Sequence, residues 1–108
     1  MTVLVVENPI LPSVDAASFK LAMRSTAASV NVITCGGDEG DFGLTATAFS
    51  SVTADPPTVL IAVNSGASIY PHLLKQRRFA VNVLRADALE VSNDFAGGLP
   101  PEQRFERH

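Results

Sequence analysis

The chain has 108 residues, 46% of them apolar and 18% charged, with a formal charge of −3, a composition that suits one globular domain and not a disordered chain. Its 8 basic residues are scattered, and only Lys75, Arg77 and Arg78 lie close together. A nucleic-acid partner is therefore not expected, and the small basic group reads as the solvated end of a helix. Cys35 is the sole cysteine, which excludes a disulfide framework or a cysteine metal site and fits a reducing, cytoplasmic compartment.

Residues 1–14 carry two prolines and no clear period, and read as an N-terminal arm with a short strand at Val3 to Val6. With no basic n-region and no long apolar run, neither a signal peptide nor a membrane span is expected. Asp15 is a candidate N-cap. Phe19, Ala22, Met23 and Thr26 follow at helical spacing, which predicts an amphipathic helix from Asp15 to Ser25. Val30, Val32 and Thr34 alternate with Asn31 and Ile33, predicting a strand from Ser29 to Cys35. Gly36 to Gly40 reads as a solvent loop leading to a second strand, Phe42 to Ala48, in a hairpin whose loop exceeds two residues. The glycines of this region lack the spacing of a nucleotide loop, and Asp38, Glu39 and Asp41 would repel a phosphate.

Phe49 to Thr53 continues extended until Asp55-Pro56-Pro57 breaks it. Thr58 to Val63 is apolar and β-branched, and reads as the best buried strand of the chain. Asn64-Ser65-Gly66 is a turn. Ser68 is a candidate cap for a short helix through Leu74, with Pro71 in its first turn. Phe79 to Leu84 is a further strand. Asp87 is a candidate cap for a helix to Phe95, closed by Gly97-Gly98. Leu99 to His108 is a polar, proline-containing end. Strands in hairpin-like succession with inserted helices predict an antiparallel α+β domain. A chain this short buries less of its surface than a larger one, so an oligomer interface or a bound cofactor would add stability.

The run Thr45-Ala46-Thr47-Ala48-Phe49-Ser50-Ser51-Val52-Thr53 mixes small side chains, five hydroxyls and one aromatic. Small residues let a planar ring approach the backbone, and hydroxyls and N–H groups can bond its oxygens. A threonine-rich edge strand with a solvated face accounts for the same composition. Asn64, Ser65, Gly66 and Ser68 lie between a strand and a helix start, which suits either phosphate binding or an ordinary turn and cap. His72 has no evident triad or metal partner and His108 is terminal, so neither is expected to be catalytic. Cys35 reads as a strand-end filler. Asp87, Glu90 and Asp94 read as one solvated helix face.

In order along the chain, several segments resemble the flavin reductase-like family of FMN-binding split barrels. Phe19-Lys20-Leu21-Ala22-Met23-Arg24 leading into Val30-Asn31-Val32-Ile33-Thr34 is similar to the family's opening. The run from Gly43 through Thr45-Ala46-Thr47-Ala48-Phe49-Ser50-Ser51 to Asp55-Pro56-Pro57 resembles its best-known motif. Val63-Asn64-Ser65-Gly66-Ala67-Ser68 resembles the next block, and Phe79-Ala80-Val81-Asn82-Val83-Leu84 with Asp87, Leu89, Phe95 and Ala96 the one after.

The resemblance implies a mainly β fold with inserted helices, an antiparallel Greek-key split β-barrel that works as a homodimer. It implies one domain over residues 1–108 with the barrel incomplete, because family members continue into further strands and a late Gly-Asp-His segment. It also implies a flavin, FMN with FAD as the alternative, bordered by Thr45, Ala46, Thr47, Ser50 and Ser51. Asn64, Ser65 and Ser68 would lie near the ribityl-phosphate end. The implied activity is reduction of that flavin by NADH or NADPH to serve a partner monooxygenase. The alternative is a flavin-binding module or fragment without turnover; a pyridoxamine-phosphate oxidase relative ranks lower for want of basic phosphate contacts. Ser29 and Arg85 depart from the family pattern, standing where a glycine and a small residue are usual.

Overall fold

The computed structural model describes residues 12–108; the arm's expected strand at Val3 to Val6 lies outside them. Helix α1 spans Ala16–Arg24, and its N-cap Asp15 accepts a hydrogen bond from the Ser18 N–H at 2.7 Å, as the sequence suggests. The strands are β1 (Asn31–Gly37), β2 (Gly40–Ala46), β3 (Phe49–Ala54), β4 (Pro57–Ile61) and β5 (Ala80–Val83). β1 is the centre of a three-stranded antiparallel sheet in the order β2-β1-β5, and β3 and β4 form a separate antiparallel pair. Helix α2 spans Tyr70–Gln76, α3 spans Leu89–Asn93 and α4 spans Arg104–Arg107. Antiparallel pairing with inserted helices is thus as expected. Among the described residues the two sheets do not close into a barrel.

The central place of β1 explains the core. Paired on both sides, it buries Val32, Ile33 and Cys35, and Ile33 joins Cys35 and Ile69 in a cluster covered by Phe42, Leu44, Leu73 and Val81. Ile33 and Ile69 are fully buried, each contributing about 1.5–3 kcal/mol over an exposed position. Asn31 is also fully buried, so the strand does not alternate as its sequence pattern suggests. Its side-chain amide donates to the carbonyls of Ser29 at 3.3 Å and Ala46 at 3.2 Å, which satisfies it.

Several boundaries differ from the sequence reading, each for a local reason. Gly36 and Gly37 belong to β1, and Gly37 pairs with Gly40, so the hairpin loop is the two residues Asp38 and Glu39 rather than a longer one. Gly40, at φ 115°, supplies the turn's left-handed backbone. β2 therefore starts and ends two residues earlier than expected. β4 stops at Ile61 and is mostly exposed, with Leu60 at 60%, because its pairing partner is β3 and no described layer covers it. It is not the buried strand its β-branched run suggests.

Ser68 does not cap α2: the N-cap is Ile69, with no side-chain bond, and Arg77 ends the helix at φ 54°. Asp87 does not cap α3 either, being drawn to Arg85 at 2.6 Å. α3 widens at Asp94–Gly98 into a π-type turn that Gly97 closes at φ 113°. The polar end folds back as a 3-10 turn at Pro101–Gln103 followed by α4.

That fold-back corrects the reading of Asp94 as part of a solvated face. Asp94 is buried, and its carboxylate meets the His108 Nε2 at 2.8 Å and the Arg107 guanidinium at 3.5 Å. Arg104 is buried too and donates to the Gly43 carbonyl at 2.7 Å and the Leu99 carbonyl at 3.1 Å. Phe95 packs edge-on against Phe105. Among the described residues no helix is long and apolar enough to cross a membrane.

Candidate functional site

The hydroxyl-rich run divides between two structural roles. Thr45 and Ala46, at the end of β2, belong to the packing side. The Thr45 hydroxyl donates to the Ser92 carbonyl at 2.7 Å, and Ala46 packs against the Ile33 core. Thr47 and Ala48 form the exposed link between β2 and β3, outside both strands. The link is turned by a bond from the Phe49 N–H to the Thr47 carbonyl at 2.9 Å.

This link walls two clefts. One, about 270 Å³, is lined by Thr47, Ala48, Phe49, Ser50, Leu60 and Ala62. The other, about 410 Å³, is lined by Met23, Arg24, Thr26, Ala28, Thr47 and Ala48. The first joins apolar Phe49, Leu60 and Ala62 with two hydroxyl-bearing residues, Thr47 and Ser50, and the Ser50 hydroxyl donates to the Ser51 carbonyl at 3.0 Å. The second carries a guanidinium, from the last turn of α1. Small side chains at positions 47 and 48, an apolar wall and a nearby cation fit a planar, amphipathic and anionic group such as a flavin nucleotide.

The Asn64 turn lies at the same end of the β3–β4 pair. The Ala62 N–H donates to the Ala48 carbonyl at 3.1 Å, so the chain leaving β4 passes beside the Thr47–Ala48 link two residues before Asn64. Asn64, Ser65 and Ser68 are exposed. Asn64 Oδ1 accepts from the Gly66 N–H at 2.8 Å, an ordinary side-chain turn. The structure thus brings Thr47 and Ser50 into one cleft, turns Thr45 and Ala46 toward the packing and leaves Ser51, Asn64, Ser65 and Ser68 on the surface.

Arg24 and the cleft beneath α1 were not legible in the sequence. A lone arginine in the last turn of a helix reads as a solvated complement to its dipole, and only the fold sets it beside Thr47. His72 lies apart from these clefts, stacked on Phe42 with ring centroids 3.5 Å apart and its Nδ1 3.1 Å from Glu39. The hydrogen bond from Lys75, and the charges of Lys75 and His72, hold the Glu39 carboxyl below its usual range.

Residues 23–108 match the family described as flavin reductase like domain. The chain belongs to the flavin reductase-like family. Among its relatives is RutF of Escherichia coli K12, an FMN reductase (NADH), 45% identical over 92 residues that make up 85% of this chain and 56% of RutF. The chain therefore spans a little over half the length of the curated relatives it matches. The solved structure of ycdH from Haemophilus somnus 129pt superposes with a TM-score of 0.83 at 42% identity, over 87% of this chain and 60% of that one. BorF, the flavin reductase component of a bacterial two-component tryptophan halogenase, superposes at 0.71 with 38% identity, over 76% of this chain and 51% of BorF.

Proposed function

We propose that the chain is the flavin-binding portion of an NADH-dependent flavin reductase, with FMN as its flavin and a partner oxygenase as the consumer of reduced flavin. The observation that carries this reading is the Thr47–Ala48 link, where side chains are small and exposed between two clefts in a member of this family. RutF supports FMN over FAD and NADH over NADPH, and BorF supports delivery to the second component of a flavin-dependent pair.

The redox chemistry is the flavin's own, hydride passing to it from the nicotinamide. The residues' part is to bind and orient. The small side chain of Ala48 admits the ring against the backbone, and the Thr47 hydroxyl offers a donor to its polar edge, joined by the Ser50 hydroxyl when it exchanges its bond to the Ser51 carbonyl. Phe49, Leu60 and Ala62 keep water from one side of the cleft. Thr45, Ala46 and Ser51 border it through their backbone, and Asn64, Ser65 and Ser68 face the ribityl-phosphate end. A triad or metal is not required for this chemistry.

The whole chain reads as part of one Greek-key split-barrel domain, active as a homodimer in the cytoplasm, where NADH is found. Exposed Leu60 on β4, Leu74 on α2 and Val83 on β5 support an interface between copies. The test is FMN titration of the purified chain, followed by NADH oxidation with FMN added. Saturable binding with turnover is the expected result. Binding without turnover would reduce the proposal to a flavin-binding module, and no binding would remove it.

A further inference from the structure

Asn31, the first residue of β1, is fully buried beside Val32 and Ile33, a place where an apolar side chain would cost nothing to desolvate. A buried amide is costly unless its donors and acceptor are matched. Here Nδ2 shares its hydrogens among the Ser29 carbonyl at 3.3 Å, the Ser29 hydroxyl at 3.2 Å and the Ala46 carbonyl at 3.2 Å. Oδ1 accepts from the Ser29 hydroxyl at 3.4 Å. Two of these partners are carbonyl oxygens, which only accept, so the nitrogen end of the amide must face them.

The Ala46 carbonyl is the contact that reaches the candidate site. Ala46 is the last residue of β2 and the cross-strand partner of Asn31. The Ala46–Thr47 peptide is trans, so its N–H points opposite to its carbonyl. Holding that carbonyl toward β1 directs the Thr47 N–H away from β1, at the head of the Thr47–Ala48 link. The Thr47 carbonyl accepts from the Phe49 N–H, whereas the Thr47 N–H donates to no group among the described residues. The Asn31 amide therefore sets the plane that carries this free donor and from which the Thr47 side chain departs.

We propose that Asn31 is a positioning residue for the flavin site: steadied by Ser29, it fixes the Ala46–Thr47 peptide and so the direction in which the link meets the flavin. Both residues act through Ala46, and neither lines a cleft of the link. The proposal rests on the flavin reading and adds to it two residues behind the site.

The test combines FMN titration, the visible spectrum of the bound flavin and amide NMR of the flavin-free chain, on the wild type, Asn31→Ala, Ser29→Ala and Ser29→Thr. Asn31→Ala is expected to weaken FMN about fivefold, the worth of one hydrogen bond. It is also expected to shift the visible band of the FMN that still binds, and the Thr47 amide resonance. Ser29→Ala is expected to do the same to a smaller extent, and Ser29→Thr, which keeps the hydroxyl, to behave as the wild type. Ser29 is exposed, so its two variants decide the matter alone if Asn31→Ala does not fold. Unchanged FMN affinity in a folded Asn31→Ala, or in Ser29→Ala where that variant decides, overturns the proposal whether or not the Thr47 amide moves. So does a loss of binding that follows unfolding alone, with the spectrum of the bound flavin unshifted, which would make Asn31 a support of the fold. A wild type that binds no FMN removes the flavin reading and this proposal together, an outcome read on the wild type and so distinct from failure in the variants.

Discussion

Gly43 opens the run that resembles the family motif, and its reason is packing. It is buried between β1 and the returning C-terminal segment; a Cβ there would lie 2.4 Å from Cε1 and 2.6 Å from Cδ1 of Phe95. Phe95 is itself 3% exposed and has little room to yield. Gly43→Ala is therefore expected to destabilise the chain by about 1–3 kcal/mol through overpacking. Urea unfolding checks this, and an unchanged midpoint would contradict it. Two residues nearby should change binding and leave stability almost alone. Thr47→Val and Ser50→Ala are each expected to weaken FMN by about 1 kcal/mol, the net value of one hydrogen bond. Flavin titration measures it, and unchanged affinity in both variants would move the site elsewhere. At this scale the sequence was informative about chemistry and poor about direction. Thr45 and Thr47 look alike in the run, yet the Thr45 hydroxyl is spent on the Ser92 carbonyl while Thr47 is an exposed residue lining a cleft.

Helix α1 was legible because its signals are local: an acidic N-cap and a helical apolar period. Asp15's carboxyl is held below its usual range, chiefly by the hydrogen bond from the Ser18 backbone. A lowered acid pKa stabilises the fold above the unfolded-state value, and the contribution is lost as pH falls through the folded value. Far-UV circular dichroism should therefore show α1 losing helicity below the ordinary carboxylate range. Asp15→Ala should start with less helix and lack that step; the same step in both proteins would contradict the assignment. Asp87 and Ser68 looked equally good as caps and are not, because Asp87 is drawn to Arg85 and α2 begins beyond Ser68. The β1–β2 hairpin followed from succession along the chain, but the return of β5 to the other edge of β1 and the cover of each strand did not. Thr58 to Val63 has the composition of a buried strand, and its exposure depends on which layers lie against it, a non-local fact.

At the scale of the molecule, the sequence could not show that the polar end returns to the core. Arg104 reads as a surface charge, yet it bonds the Gly43 carbonyl 61 positions away in sequence. That return ties β2, which leads into the Thr47–Ala48 link, to the segment after α3. The candidate site is thus held from behind by residues that never enter it. Exposed apolar side chains on β4, β5 and α2 lead to the expectation of association between copies.

The central claim is that the Thr47–Ala48 link is a working flavin site, and FMN titration of the chain with parallel sizing on a column tests it most directly. Saturable quenching of flavin fluorescence by a dimeric species, weakened in Thr47→Val, is the predicted result. A folded chain that leaves FMN fluorescence unchanged, or binds it equally well after Thr47→Val and Ser50→Ala, would contradict the account.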